Sequence, residues 1–524
     1  MRNWDGIQWD EQCELSEIIS EDALEEIPVK KATALYIATS MDKTKMARSL
    51  IKYAGEDNIR CCYQNIQLSK SIEEVFMHDR VGKLEMKHRD LDPVIVPGHR
   101  VGKDRKRERI FIVYSTDVMR PKSYGLDGLG LVLIRNPYFI TGDLKSDSEK
   151  HIGVLHDKKK PQKALSIHRK RLWETHSNLN VIRIHSVTYG NNIEKPCIVL
   201  YCSTKGVVPL GEPDFPKRLE IDEHDSVDVI VRDGYFRRGV GYEREASVAY
   251  HNTLKMGCNI GRLTPEEGQQ HLSGTLGPFV RFKDEVGFLT CAHVLFQITN
   301  PSERFNFPDG ASSTVEVVQP SIDIEHPRSA CGFVQKAIFD PTRNPSIDVA
   351  VVQLTDDERK PTAGQFANAR LSKLKIAGFD ESNLPEYNSG SYETRLNELS
   401  RSQIAFKFGS SSDVTKGTVD MDGIDVRPLS IDVTLPECHK TAFMQNQCTI
   451  SGNDPELILG GDSGAPVFMR TITNVLSCIG IVIGQGYLPI DGVTKVYPVA
   501  VFTPIGAVLQ ALGDEYKIAS FTPT

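Results

Sequence analysis

Three short segments in the C-terminal half carry residue types that together can do acyl transfer. In VGFLTCAHVLF, residues 286–296, an apolar run leads into Thr290-Cys291-Ala292-His293. In PSIDVAVVQL, residues 345–354, Asp348 opens a second apolar run. In GGDSGAPVF, residues 460–468, Ser463 lies among glycines. A serine hydroxyl is a weak nucleophile near neutral pH and needs a base within hydrogen-bond reach. Histidine suits that task because its pKa of about 6.5 lets it take and return a proton. A carboxylate fixes the ring's tautomer and stabilises the imidazolium that forms. In Gly461-Asp462-Ser463, the N–H groups of Gly461 and Ser463 would form an oxyanion hole, and losing one such donor costs about 3–4 kcal/mol. Taken singly, each residue has a plainer reading: a structural histidine, a turn-capping aspartate, a loop serine. Their joint order and contexts make the chemical reading the stronger one.

The order His, Asp, Ser, with T-C-A-H-V, D-V-A-V and G-D-S-G-A-P-V, resembles the chymotrypsin-like (trypsin-like) serine peptidases. The resemblance implies two six-stranded antiparallel β-barrels with the site between them. It implies His293 as general base, Asp348 as its orienter and Ser463 as nucleophile. A wider set of segments resembles the intracellular trypsin-like peptidases of bacteria and plants, including the narrow-leaf type. These are SGTLGPFVRF, VVQPS, NPSIDVAVVQL and FKFGSSSDVTKGTVD, within residues 180–515. Secreted relatives place a cysteine directly after the histidine, whereas Val294 stands here. They also free an amino terminus by cleavage to pair with the aspartate before the serine. The nearest such sequence here is Arg238-Gly239-Val240-Gly241, so the partner of Asp462 stays open at this point. In trypsin relatives an aspartate six residues before the serine lies at the base of the S1 pocket; here that position is Leu457. Ile483, Gly484 and Gln485 align with the family's substrate-binding strand. Together these imply an uncharged P1 side chain.

The elements that must position these residues begin near residue 251. From there short apolar runs alternate with turns rich in Gly, Pro, Asn and Asp, which predicts an all-β domain over 251–524. A short helix is expected at TPIGAVLQALGDEY. The fold expected is multidomain, a C-terminal all-β double barrel preceded by α+β modules. Residues 1–65 read as a partly helical segment. Residues 66–150 and 151–250 read as two copies of one module: helix, strand, strand, loop, strand. RIFIVYST and LGLVLIRNPYF of the first match CIVLYCST and SVDVIVRDGYF of the second. Two convergent α+β modules are the alternative. Basic residues at Lys103–Arg109, Lys158–Lys160 and Arg169–Arg171 read as solvated faces, with a two-part nuclear import signal as the competing reading for the last two.

A length of 524 residues, 40% hydrophobic and 25% charged, is ordinary for a globular protein of several domains. A net charge of −7 disfavours a mainly nucleic-acid-binding role. No secretory signal or membrane span is read in the sequence. The eleven cysteines include Cys197, Cys202, Cys291 and Cys478 inside apolar runs, where cysteine acts as a small buried hydrophobe. No C-x-x-C pair occurs, and neither Cys61-Cys62 nor Cys438-His439 is read as a metal site.

The expectation is therefore a serine endopeptidase, intracellular in cytoplasm or nucleus, needing no metal or cofactor. Its partners would be a protein or peptide substrate and a regulatory protein reached through the N-terminal modules; self-association stays open. The alternative is an interaction scaffold whose peptidase fold is silent or acts only on itself.

Overall fold

The computed structural model describes residues 94–101, 107–115, 130–135 and 152–153, and most of 159–521. The expectations for residues 1–65, for the helix of the first module, for the NPYF end of its last segment and for Cys438-His439 lie outside the described residues. The described residues fall into two compact units: those up to 139 with 206–214, and those of 140–205 with 215–524.

The described residues of the first unit form a four-stranded sheet. Strand β1 (Val94–Val101) pairs antiparallel with β2 (Arg107–Ser115), and β2 pairs parallel with β3 (Gly130–Arg135). Numbering strands in chain order, β7 (Val207–Pro209) adds to the free side of β1.

The first described elements of the second unit are β4 (Ile152–Gly153) and helix α1 (Lys159–Thr175). Helix α1 buries Ala164, Leu165, Leu172 and Trp173 against a sheet built from β5 (Leu179–Tyr189), β6 (Ile193–Cys202), β8 (Arg218–Glu220) and β9 (Ser226–Asp233). Strands β5 and β6 are antiparallel, and β6 and β9 are parallel. This is the pairing scheme of β1, β2 and β3. Tyr114 and Tyr201, matched in the sequence, occupy equivalent places in it, Tyr114 opposite Ile134 and Tyr201 opposite Arg232.

One sequence expectation is corrected here. SVDVIVRDGYF reads as a single strand, but β9 ends at Asp233 and a separate strand, β10 (Tyr235–Arg238), follows. Gly234 makes the break. A Cβ there would lie 2.6 Å from the Tyr201 ring and 2.9 Å from the Tyr487 carbonyl, so the chain can change course only without a side chain.

The remaining strands form two closed barrels. The first uses β11 (Asn259–Arg262), β12 (Ser273–Thr275), β13 (Phe279–Phe282) and β14 (Glu285–Thr290). It continues after the short helix α2 (Ala292–Leu295) and β15 (Phe305–Phe307) with β16 (Glu316–Val318), β17 (Ala330–Asp340) and β18 (Ile347–Leu354). β12 and β13 are two halves of one path bent at Leu276–Pro278. The first half pairs β11 and the second pairs β14, and β18, β17 and β16 complete the ring back to β11. Apolar residues of these strands include Phe288, Leu289, Val317, Val349 and Val351, all fully buried.

After α3 (Leu371–Ala377), the second barrel uses β19 (Ile404–Gly409), β20 (Asp413–Val426), β21 (Met444–Ser451), β22 (Pro466–Arg470), β23 (Leu476–Tyr487) and β24 (Pro498–Pro504). Each pairs with two others in the cycle β19, β20, β21, β24, β23, β22. Closure of this kind pairs every strand of the ring with two neighbours, although β22 covers β23 only over Leu476–Ile481. The helix expected near the C-terminus is α4 (Ile505–Leu512); β25 (Tyr516–Ile518) follows and pairs β13.

The α+β layer and the second barrel share one sheet, because Val181–Arg183 of β5 pair with Ile424–Val426 of β20. Arg169 Nε meets Asp425 Oδ2 at 2.6 Å across this junction, and Arg183 pairs with Asp420. Arg427 lies over the Trp173 ring at 4.5 Å and donates to the carbonyls of Trp173 and His176. Arg169, one of the basic residues of the second charged stretch, is thus engaged in holding helix and barrel together.

Candidate active site

The site is assembled from both barrels. His293 stands on α2, directly after β14 ends. Asp348 is the second residue of β18, whose residues Ile347–Val352 are all buried. Ser463 lies in the turn just before β22. The fold brings the three together. His293 Nδ1 lies 2.5 Å from Asp348 Oδ2, and His293 Nε2 lies 2.8 Å from Ser463 Oγ. The backbone N–H of His293 donates to Asp348 Oδ1 at 3.2 Å, so the carboxylate grips both ring and main chain. Burial alone would raise the Asp348 carboxyl. Its electrostatic pairing and hydrogen bond with His293, with help from Arg238, more than offset that and hold it below the usual carboxylate range.

This line of contacts has what nucleophilic catalysis by serine requires: a hydroxyl, a base in reach and a group orienting the base. Cys291 completes a cluster in which the Cys291, His293 and Asp348 ligand atoms lie within 4.8 Å of one another. Its donor chemistry does not suit a metal. Burial first, and the Asp348 charge second, push the Cys291 thiol well above its usual range, and its Sγ donates to the Val482 carbonyl at 3.1 Å. The imidazole and carboxylate are already spent on each other.

The turn bearing Ser463 is held by residues that lie inside the quoted motifs but to which motif reading gave no role. Asp462 is fully buried, and its carboxylate takes four donors. Lys407 Nζ lies 2.9 Å from Oδ2, and Leu459 N–H lies 2.9 Å from the same oxygen. Ser411 and Ser412 N–H groups lie 3.1 and 3.2 Å from Oδ1. Lys407 is 1% exposed and also donates to Ser412 Oγ. The sequence signal was a lone lysine between two phenylalanines in FKFG, since a charge in a buried strand demands a partner.

The second holder is Thr275, in the SGTLG segment. Its N–H donates to the Ser463 carbonyl at 2.7 Å, and its Oγ1 donates to the Gly461 carbonyl at 2.8 Å. Gly461 has φ +97°, and a Cβ on it would lie 2.3 Å from Ser411 Oγ. The turn therefore needs glycine both for its dihedral and for its space.

The residues expected to line the substrate site fall in two places. Ile483, Gly484 and Gln485 lie in sequence on β23, with the Ile483 carbonyl 3.3 Å from Ser463 Oγ. Leu457 is fully buried in the core of the second barrel, among Ile458, Ala465 and Val467. The other element that sequence reading missed here is β10, which runs antiparallel beside Gly484–Tyr487 of β23.

No family profile and no curated protein matches the chain. Among solved structures, Thermobifida fusca Protease A is 14% identical, covering 51% of this chain and 99% of its own, with a TM-score of 0.27. An alpha-lytic protease homologue, N4, is 11% identical with the same coverage and TM-score. HL collagenase is 14% identical, covering 48% of this chain and 90% of its own, with a TM-score of 0.22. Likeness at that level adds nothing to the geometry above.

Proposed function

We propose that this chain is a serine endopeptidase of the trypsin-like type. The observation that carries this reading is the unbroken hydrogen-bonded line Ser463–His293–Asp348 between two closed antiparallel barrels. His293 Nε2 takes the Ser463 proton as Oγ attacks the peptide carbonyl, and Asp348 stabilises the imidazolium. The oxyanion rests on the N–H groups of Gly461 and Ser463. The imidazolium then gives its proton to the leaving amine, and water repeats the sequence on the acyl-enzyme. The seven described cysteines are all buried thiols, which supports work in a reducing compartment.

The test is covalent labelling with a fluorophosphonate probe. The wild-type protein is expected to label and Ser463→Ala is not. Equal labelling of the two would sink the assignment of Ser463.

By the resemblance, Leu457 stands where trypsin relatives carry an aspartate, and Ile483, Gly484 and Gln485 are uncharged, which supports an uncharged P1 side chain. Profiling with a peptide library is expected to return cleavage after apolar or small residues, and a dominant Arg or Lys at P1 would overturn this.

A further inference from the structure

Strand β23 has two sides. β24 runs along one of them throughout Gly480–Tyr487. On the other side β22 covers only Leu476–Ile481, and Ser463 lies just ahead of β22. Past Ile481 that side would be a bare strand edge beginning at the nucleophile, since the Ile483 carbonyl is 3.3 Å from Ser463 Oγ. Such an edge pairs with any extended backbone offered to it.

In this structure the chain fills the edge itself. Arg238 lies opposite Gly484, Arg237 opposite Gln485, Phe236 opposite Gly486 and Tyr235 opposite Tyr487. The strand runs towards Ser463 and is anchored on both barrels. Phe236 is buried in the core, Tyr235 stacks on Tyr487 at 4.8 Å, and the Arg238 guanidinium lies 5.5 Å over Phe339 of β17. Phe339 is the cross-strand partner of Asp348. Gly484 admits the strand, because a Cβ there would lie 2.3 Å from the Arg237 carbonyl and 2.7 Å from the Phe236 ring. The three site residues are themselves buried: Ser463 is 0%, His293 2% and Asp348 3% exposed.

We propose that β10 is an internal occupant of the peptide-binding edge. Tyr235–Arg238 hold the place where an extended substrate backbone would pair with Gly484–Tyr487, and the site opens to a peptide when β10 leaves. The proposal rests on the peptidase reading for its meaning, but the occupancy itself is a matter of binding. Only Gly234 separates β10 from β9 of the α+β layer, so a partner that shifts that layer would pull on the strand directly.

The probe is a fluorescent peptide copying Asp233–Arg238, DGYFRR, added to full-length protein carrying Ser463→Ala. In one form Arg237→Pro and Arg238→Pro remove two adjacent N–H donors, one of which must face β23, and so release the strand. The released form is expected to bind the peptide at least tenfold more tightly than Ser463→Ala alone. With Ser463 restored, it should also label at least tenfold faster with the fluorophosphonate. Equal peptide binding by both forms, or binding by neither, with the unfolding transition of the barrels retained, overturns the proposal. Peptide binding confined to the released form, without labelling of any form, supports the occupancy and sinks the peptidase reading instead. A second variant covers the chance that the prolines prevent folding. Arg237→Cys with Gln485→Cys places thiols on directly opposed residues, so oxidation locks β10 in place. Labelling should then be lost in the oxidised protein and return on reduction; labelling at one rate in both states overturns the proposal.

Discussion

Acylation by a peptide ester in the His293→Ala protein is expected to fall on the order of a millionfold, and Ser463→Ala to fall as far. The double variant should be no worse than either single one. The reason is visible in the contacts. Ser463 Oγ is 2.8 Å from His293 Nε2, the base that would take its proton, and that ring is held by Asp348 from the other side. With the imidazole gone the hydroxyl loses the base that would take its proton, and with the hydroxyl gone the imidazole has nothing to activate. Asp348→Asn is expected to cost on the order of ten-thousandfold, because an amide can present its N–H to Nδ1 and stabilise the wrong tautomer. The measurement is single-turnover acylation of the released form described above, with each variant checked for its unfolding transition. If the losses at His293 and Ser463 multiplied, the two residues would be acting independently and the triad assignment would fail.

The three residues of that line were legible because each announces itself locally. Asp348 interrupts an otherwise apolar strand, His293 follows one, and Ser463 sits where glycines permit a tight turn. The barrels were legible for a related reason: short apolar runs between turn residues leave few alternatives to antiparallel closure. What the sequence concealed were pairings decided by closure itself. Thr275 and Gly461 are 186 residues apart, and only the ring of β11 to β18 docking against the second barrel brings them to 2.8 Å. The end of β9 was concealed because Gly234 reads like any glycine until Tyr201 and Tyr487 are seen to leave no room for a side chain. Strand β10 was concealed more deeply. Its apolar residues suit either the α+β layer or the barrel, and periodicity cannot say which edge a strand joins.

Lys407→Met is expected to destabilise the second barrel by about 3–5 kcal/mol, the cost of leaving one member of a buried ion pair uncompensated. The Lys407–Asp462 contact is 2.9 Å, with the side chains 1% and 0% exposed. Water can therefore neither screen the pair nor replace a lost partner. Removing the ammonium leaves a carboxylate held by three backbone N–H groups alone, those of Leu459, Ser411 and Ser412. Adding Asp462→Asn to Lys407→Met should recover part of the stability, since the stranded charge is gone while an amide oxygen still accepts from the backbone. Turnover should not recover with it. Asp462 lies between Gly461 and Ser463, the two residues whose N–H groups would receive the oxyanion, and its four donors are what fix that turn. Thermal unfolding measured beside acylation separates the two effects. A double variant restored in both would mean that the pair serves the barrel and not the site. The same contact bears on activation. A positive charge beside Asp462, which the secreted peptidases that the sequence resembles import by freeing an amino terminus, is here supplied by Lys407, a side chain of β19. Cleavage near Arg238 is therefore not needed to fix the turn. If such a cut has any effect, it should act by loosening β10, raising peptide binding while leaving the loss caused by Lys407→Met unchanged.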